Sequence, residues 1–196
     1  MHRSSRLPAA DLAKVAVFAG LIAALSLAPA LYLFGGAVPL TLQTLGVMLA
    51  GLVLGARLGA LAVLCYLAIG AAGVPVLAGG AAGLAPFQGP TAGYLAAFPI
   101  GAFVVGIIVS RRGRFHPVRG FVAAVVGGIV VVYAIGIPVL AWRAGLSAGE
   151  AVTAGGLIFL PGDLIKAVVA TLIATGVHRA YPSSTDTESS RAATPA

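Results

Sequence analysis

Apolar residues run along the chain in long stretches that are separated by Gly/Pro clusters and by short charged segments. The stretches from Lys14 to Arg57 and from Arg57 to Arg111 contain no formal charge between their end residues. Each is long enough for two membrane crossings, since one crossing needs about 20 apolar residues. With the Gly/Pro clusters taken as breaks, the pattern predicts six helices. They lie near residues 13–33, 40–56, 58–74, 90–110, 118–142 and 157–179.

Composition places this all-α chain in a bilayer. Hydrophobic residues make up 60% and charged residues only 9%, against about 25% charged in soluble domains. The first apolar run is interpreted as a crossing, because no small-residue cleavage site typical of a signal peptide ends it. We therefore expect a short cytoplasmic segment at 1–11, a six-helix transmembrane domain at 12–181 and a disordered cytoplasmic tail at 182–196, rich in Ser, Thr and Pro.

The positive charges lie at the ends of the predicted helices and not along one soluble face, so the net charge of +7 does not indicate nucleic acid as a partner. Their distribution is strongly one-sided, and only Arg143 lies on the opposite side. By the positive-inside rule, both termini are cytoplasmic in a multi-pass protein of the cell membrane. The residues of the cytoplasmic side are Arg3, Arg6, Lys14, Arg57, Arg111, Arg112, Arg114, Arg119, Arg179 and Arg191.

Two predicted outer connections, residues 28–39 and 74–90, carry no charge and are rich in Gly and Pro. Backbone groups without partners cannot face lipid. We therefore expect these connections to fold back over the helix bundle. They would serve either as a lid over a small ligand or simply as a plug for the outer surface.

Asp163 and Lys166 are the two ionisable residues that fall deep inside a predicted crossing. Burial of one charge there costs about 2.5 to 3.5 kcal/mol, so such residues are functional candidates. Their spacing of three puts them on one helix face, where they can neutralise each other. Ligand binding is the favoured role, and an ion pair that fixes helix packing is the alternative. Pro161 either begins this helix or kinks a longer one.

Other polar and aromatic residues border the same outer region. Gln43 and Thr44 open the second predicted helix, and for Gln43 the alternative is a hydrogen bond between helices. Further candidates for the same cavity are Gln88, Thr91 and Tyr94, with Phe87, Tyr133 and Trp142 as apolar walls of a binding site. For each of these aromatic residues the alternative is plain packing or anchoring at the membrane interface.

Catalysis is poorly supported by the motifs. The chain has no G-x-x-x-x-G-K-[ST] phosphate loop and no H-E-x-x-H, and no nucleophile or second acid accompanies the Asp/Lys pair. A single cysteine, Cys65, excludes an intramolecular disulfide and the two-cysteine zinc patterns. No metal or cofactor is predicted.

Four motifs in order carry a resemblance to a known family. They are VPLTLQTLGVMLAGLVLG at 38–55, GALAVLCYLAIGAAGVPVLAGGAAG at 59–83, GPTAGYL at 89–95 and LPGDLIKA at 160–167. In combination, they resemble the BioY family, the biotin-specific substrate-binding (S) components of energy-coupling factor (ECF) transporters. The resemblance covers residues 12–180. It implies a six-helix S component with cytoplasmic termini and a biotin site near the outer surface, beneath the first and third helix connections.

The resemblance also implies roles for residues. Asp163 would accept from the ureido N–H groups of biotin, and Lys166 would donate to the ureido oxygen or pair with Asp163. A small-residue motif in the first helix would contact the transmembrane T component, and two cytoplasmic ATPases would use the ATP. That motif maps onto Ala19 and Ala23 with neighbouring Gly20 and Ala24, for which internal packing is the alternative.

The implied function is capture of biotin outside and its release inside after the subunit reorients. Three alternatives remain: an S component for another vitamin, such as riboflavin, thiamin or a queuosine precursor, a membrane-embedded enzyme, and a purely structural subunit. Whether the protein works alone, as a homo-oligomer or with an energising module is open at this point.

Overall fold

A computed structural model describes residues 8–28, 41–110 and 115–181, and this part of the chain is helical without a β-strand. The helices are α1 (Ala9–Ser26), α2 (Gln43–Ala71), the short α3 (Ala85–Gln88), α4 (Ala92–Ser110), α5 (Pro117–Ala144) and α6 (Ala148–Ala180). Within the described residues, the five long helices are long and apolar enough to cross a membrane. π-Helical segments interrupt α5 at Val126–Val131 and α6 at Thr153–Leu157, and the last section of α6 is Leu160–Ala180.

The helix α2 reverses direction at Gly55. This glycine has φ +77° and ψ −175°, a conformation that glycine adopts without the steric cost of a side chain. A Cβ atom at Gly59 would lie 2.7 Å from the carbonyl oxygen of Ala50, a proximity that a straight helix with a rise of about 1.5 Å per residue cannot produce. Residues 43–54 and 56–71 therefore form an antiparallel hairpin. The predicted break at residue 57 is present two residues earlier, at Gly55.

The bundle has two distinct ends. At one end, which we call the Gly55 end, the ring of Phe115 stacks on His178 with centroids 4.5 Å apart. A ring nitrogen of His178 lies 3.0 Å from the carbonyl oxygen of Leu52. The opposite end, which we call the cavity end, brings together the last turn of α1, the first turn of α2 and the start of α4. Consecutive long segments thus run up and down between the two ends.

The helix α6 carries its large side chains on the outside and its small and polar side chains on the inside. Ile165 and Leu172 are 65% and 66% exposed, whereas small alanines and the two charged residues face the bundle. A helix packed in water shows the reverse pattern, while small interior residues and an apolar outer surface suit contact with lipid. The buried residues are Asp163, Lys166, Ala167, Ala170, Thr171 and Ala174.

Helix boundaries differ from the predicted ones at both ends of the chain. The helix α1 begins at Ala9 rather than near residue 13, inside the segment predicted as cytoplasmic, and it ends at Ser26. The helix α6 begins at Ala148 rather than near residue 157. It starts with a capping box in which Ser147 and Glu150 bond each other reciprocally. Because such caps are polar, a search for apolar runs passes over them.

Both interpretations of Pro161 hold in part. Helical residues precede it, and the helix is then broken at residues 158 and 159. Leu160 begins the final section, with Pro161 in its first positions and Asp163 in its first turn. Several predicted features lie outside the described residues: the first outer connection from residue 29 onward, the tail at 182–196, and Arg3, Arg6, Arg111, Arg112, Arg114 and Arg191.

Candidate ligand-binding site

A cavity of about 260 Å³ opens at the cavity end. Its volume is close to the lower end of the range of roughly 300 to 1,000 Å³ that small-molecule sites occupy. Its wall comes from the start of α2, the connection between α2 and α4, and the helices α4, α5 and α6. The lining residues are Thr41, Gln43, Thr44, Leu77, Ala78, Ala81, Pro86, Thr91, Tyr94, Leu95, Phe98, Val132, Tyr133, Gly155, Phe159, Asp163 and Lys166.

The charge-free connection after α2 folds back over the bundle and closes one side of the cavity. Its backbone returns to the end of α2, where the N–H of Gly83 donates to the carbonyl oxygen of Gly70 over 2.8 Å. Leu77 is 1% exposed, and a Cβ atom at Gly70 would lie 2.6 Å from its side chain. The absence of a side chain at Gly70 therefore makes room for Leu77, which anchors the connection and contributes apolar wall.

Asp163 and Lys166 form a buried ion pair on the cavity wall. Lys166 Nζ donates to Asp163 Oδ1 over 2.8 Å, and the side chains are 9% and 4% exposed, respectively. Charges this deep are tolerated when they are paired and hydrogen-bonded. The first turn of the final α6 section places the carboxylate near free backbone N–H groups, which favours its negative charge.

Two other helices complete the environment of this pair. Thr44 of α2 donates to Asp163 Oδ1 over 3.1 Å, and Tyr133 of α5 donates to Asp163 Oδ2 over 2.5 Å. Lys166 also donates to Thr44 Oγ1 over 3.2 Å. An ammonium group has three N–H donors, and within the described part of the chain Lys166 uses two of them. The structure therefore joins three helices at one charged cluster and leaves one cationic donor at the cavity.

Gln43 combines a place on the cavity wall with a hydrogen bond between helices, which was the alternative considered for it. It lines the cavity, and its Nε2 donates to the hydroxyl of Tyr66 over 2.7 Å. Tyr66 is 0% exposed and lies 2.8 Å from the hydroxyl of Ser26 in α1. Neither Tyr66 nor Ser26 stands out in the sequence, because each lies in a long apolar run with no periodic signal.

Tyr94 lines the wall beside the π-helical segment of α6. Its hydroxyl donates to the carbonyl oxygen of Gly155 over 2.8 Å. A π-helical turn alters the backbone bonding of the helix and is frequent at functional sites. The aromatic rings of Phe98 and Phe159 add apolar surface, and the sequence analysis singled out neither of them.

Three residues proposed from the sequence lie away from the cavity. Gln88 is exposed and absent from the lining; only its backbone oxygen is engaged, by Arg143 over 2.9 Å. Residues two apart on a helix point about 200° apart, so α3 presents Pro86 to the cavity and Gln88 to the opposite side. Trp142 is 75% exposed, and Phe87 packs against the core.

The four small residues of α1 divide between two faces. Ala19 is 3% exposed and belongs to the core, and Ala23 is half-buried against that core. Gly20 and Ala24 are exposed, as is Ala16 one turn earlier. Ala19 and Ala23 therefore pack inside the bundle, and the outward ridge consists of Ala16, Gly20 and Ala24.

Comparison with known proteins shows the family of this chain. The BioY family model matches residues 1–183. A biotin transporter BioY of Rhizobium etli is 50% identical over 178 residues, which cover 88% of this chain and 95% of that protein. The biotin transporter BioY of Rhodobacter capsulatus is 48% identical over 178 residues, with 86% and 93% covered.

Among solved structures, a crystal structure of the S-component for biotin from an ECF-type ABC transporter is similar with a TM-score of 0.79 and 28% identity. The match covers 87% of this chain and 91% of that one. The helical architecture of this chain agrees with that structure. The chain belongs to the BioY family.

Proposed function

We propose that this protein is a biotin-binding S component that captures biotin at the cavity end and releases it on the other side of the cell membrane. The observation that carries the proposal is the buried Asp163–Lys166 pair on the wall of a cavity of ligand size. An intramembrane ion pair that also borders a cavity is a typical substrate site.

The chemistry of biotin suits the cavity. Its cyclic urea has two N–H donors and one carbonyl acceptor, its thioether ring is apolar, and its valerate tail ends in a carboxylate. Asp163 is an acceptor for ureido N–H groups, and the remaining donor of Lys166 is available to an anionic or carbonyl oxygen. Phe98, Phe159 and Leu77 supply apolar surface for the ring system.

The proposed topology has six crossings with both termini in the cytoplasm. The two arms of the α2 hairpin, residues 43–54 and 56–71, count as separate crossings. Lys14, Arg57, Arg119 and Arg179 belong to the Gly55 end of the bundle, where the positive-inside rule would put the cytoplasm. The cavity then faces outward.

Transport requires partners that this chain does not contain. In the proposed cycle, the outward ridge of α1, formed by Ala16, Gly20 and Ala24, docks against the T component, and two cytoplasmic ATPases hydrolyse ATP. Small residues allow another helix to approach closely. After biotin has bound, the subunit reorients. The cycle needs different affinities for biotin in the two orientations, and assembly as a homo-oligomer remains compatible with it.

Binding of labelled biotin to the purified protein, free of any T component, tests the proposal. We expect Asp163→Asn to weaken binding at least about tenfold while the protein still folds, because a charged hydrogen-bond partner contributes about 1.5 to 3 kcal/mol. The matched control is Asp11→Asn, which alters an exposed Asp–Lys pair of the same spacing. Riboflavin and thiamin serve as competitors. Near-normal affinity in Asp163→Asn would remove Asp163 from the site, and failure of the unaltered protein to bind biotin would reject the function.

A further inference from the structure

A buried chain of hydrogen bonds leads from α1 to the cavity. The hydroxyl of Ser26 donates to the carbonyl oxygen of Ile22 over 2.8 Å and lies 2.8 Å from the hydroxyl of Tyr66. Gln43 Nε2 completes the chain at 2.7 Å from the same tyrosine hydroxyl. Ser26 and Tyr66 are 0% exposed and Gln43 is 3% exposed, so bulk water does not compete for these groups.

The carbonyl of Ile22 sets the direction of every bond in this chain. A carbonyl oxygen only accepts, so Ser26 uses its single hydroxyl proton there. The hydroxyl of Tyr66 must then donate to Ser26, which leaves it able to accept from Gln43. Gln43 accordingly turns its Nε2 towards Tyr66 and its Oε1 away from it.

The reverse direction is less favourable. If Gln43 turned its Oε1 to Tyr66, the tyrosine would donate to it and Ser26 would donate to the tyrosine. The bond from Ser26 to Ile22 would then be lost, leaving two side-chain bonds in place of three. The sense of a glutamine amide is assigned from its hydrogen-bond network, and here the network with more bonds is the one that ends on Ile22.

We propose that Ser26 and Tyr66 are positioning residues that hold the Gln43 amide with its Oε1 towards the cavity, as an acceptor for an N–H group of the ligand. The hydrogen bonds found among the described residues engage Nε2 of Gln43 and not its Oε1, and Oε1 is not among the fully buried atoms that lack a partner, so it is accessible from the cavity. Both carboxylate oxygens of Asp163 already accept from Lys166, Thr44 and Tyr133, so Gln43 provides the cavity with a second, less encumbered acceptor. The inference rests on the proposed function, because the ureido N–H groups of biotin are the donors that it matches.

The amide itself gives a readout that needs no ligand. The chain contains two glutamines, Gln43 and the exposed Gln88. Labelling of the glutamine side-chain amides with ¹⁵N therefore reports on two NH₂ groups, each with two proton signals, and the group of Gln88 serves as the internal reference. We expect one amide proton of Gln43 to exchange with deuterium at least about fivefold more slowly than those of Gln88, since it is bonded and buried.

Ser26→Ala should turn the amide over. Without Ser26, the buried proton of Tyr66 has only Gln43 Oε1 to accept it, so the Nε2 group moves to the cavity and its protection disappears. Ser110→Ala, which removes an exposed hydroxyl at the Gly55 end, should leave the Gln43 signal unchanged. An unchanged Gln43 signal in Ser26→Ala would overturn the assigned direction, whether or not the protein binds biotin.

Measurements of biotin affinity distinguish a positioning role of Ser26 and Tyr66 from a purely structural one. We expect Ser26→Ala and Tyr66→Phe each to weaken biotin binding about 3- to 10-fold, with Tyr181→Phe, an exposed tyrosine, as the control. Added to Gln43→Leu, neither variant should cause a further loss, because residues that act through one partner are not additive. Losses that add to that of Gln43→Leu would overturn the proposal. Failure of the unaltered protein to bind biotin would instead reject the proposed function and leave the amide signals to decide the positioning.

Discussion

The chain contains two nearly identical tetrapeptides in different places. Asp-Leu-Ala-Lys occupies residues 11–14 of α1, and Asp-Leu-Ile-Lys occupies residues 163–166 of α6. Both form an ion pair at a spacing of three, with N–O distances of 3.0 and 2.8 Å. The side chains of Asp11 and Lys14 are 27% and 56% exposed, whereas those of Asp163 and Lys166 are almost fully buried. The same local chemistry thus occurs once at the surface and once against a cavity.

The surroundings distinguish the two pairs. Thr44 and Tyr133, which lie on other helices, donate hydrogen bonds to Asp163. Asp11 accepts a hydrogen bond from Lys14 of its own helix. An exposed pair contributes about 0.2 to 1 kcal/mol, but removal of one partner from a buried pair costs about 3 to 5 kcal/mol. A spacing of three residues is sufficient to form either ion pair. Only the packing of three helices around Asp163 and Lys166 makes their pair a candidate binding site.

Asp163→Ala is expected to show the largest difference between the buried pair and the exposed pair, in both stability and biotin binding. It leaves the ammonium group of Lys166 buried without its carboxylate, so the free energy of unfolding should fall by about 3 to 5 kcal/mol and biotin binding should be lost. Unfolding in detergent, with and without biotin, measures both. Equal stability losses from Asp163→Ala and Asp11→Ala would contradict the distinction between the two pairs.

Replacement of both buried charges separates stability from binding. In Asp163→Leu/Lys166→Met no charge is left unpaired, so we expect stability within about 2 kcal/mol of the unaltered protein, since buried pairs are often no more stabilising than apolar residues. Biotin binding should still be abolished. If the double variant binds biotin normally, the pair serves only to pack the helices.

A smaller effect is expected from Tyr133→Phe, which keeps the ring and removes the donor to Asp163 Oδ2. A hydrogen bond to a charged group contributes about 1.5 to 3 kcal/mol, part of which a bound ureido N–H can replace. We expect biotin affinity to fall about tenfold, measured by equilibrium binding. The exposed Tyr181→Phe should have no effect, and a similar loss in both variants would point to a general disturbance.

The smallest effect is expected from Asp11→Ala. Its pair with Lys14 is partly solvated, so the free energy of unfolding should change by no more than about 1 kcal/mol. The change should be smaller in 1 M salt, because screening shortens the range of the interaction to about 3 Å. Biotin affinity should change less than about twofold. A tenfold loss would show that the surface pair, too, is coupled to the site.

The polar part of the site was easier to predict than the apolar part. Asp163, Lys166, Gln43 and Thr44 stand out because charges and amides are rare in the chain, and all four line the cavity. Phe98, Phe159 and Leu77 line it as well, but an apolar residue in a uniformly apolar run carries no sign of the direction in which it faces. Periodicity, the usual guide, is nearly absent where lipid covers the outside.

Gln88 was proposed from the sequence as a cavity residue, but the structure places it outside the cavity. A glutamine beside an outer connection is a reasonable candidate from its position, yet a single turn of helix directs it away from the cavity. The division of the small residues of α1 has the same cause. Ala19 and Gly20 are adjacent in sequence and lie about 100° apart on the helix, so one joins the core and the other is exposed.

The sequence by itself determined that the chain forms long apolar helices able to cross a membrane, roughly how many breaks separate them, and that one Asp/Lys pair lies within the last of them. These properties depend on composition and local spacing, because the energy of transfer into lipid and the conformations open to Gly and Pro act residue by residue. Only the tertiary structure decided that Thr44 and Tyr133 meet Asp163, that Ser26 reaches Gln43 through Tyr66, and that Gln88 does not reach the cavity. Such contacts depend on how helices from distant parts of the chain pack together, and apolar runs of similar composition do not encode that arrangement in any local pattern.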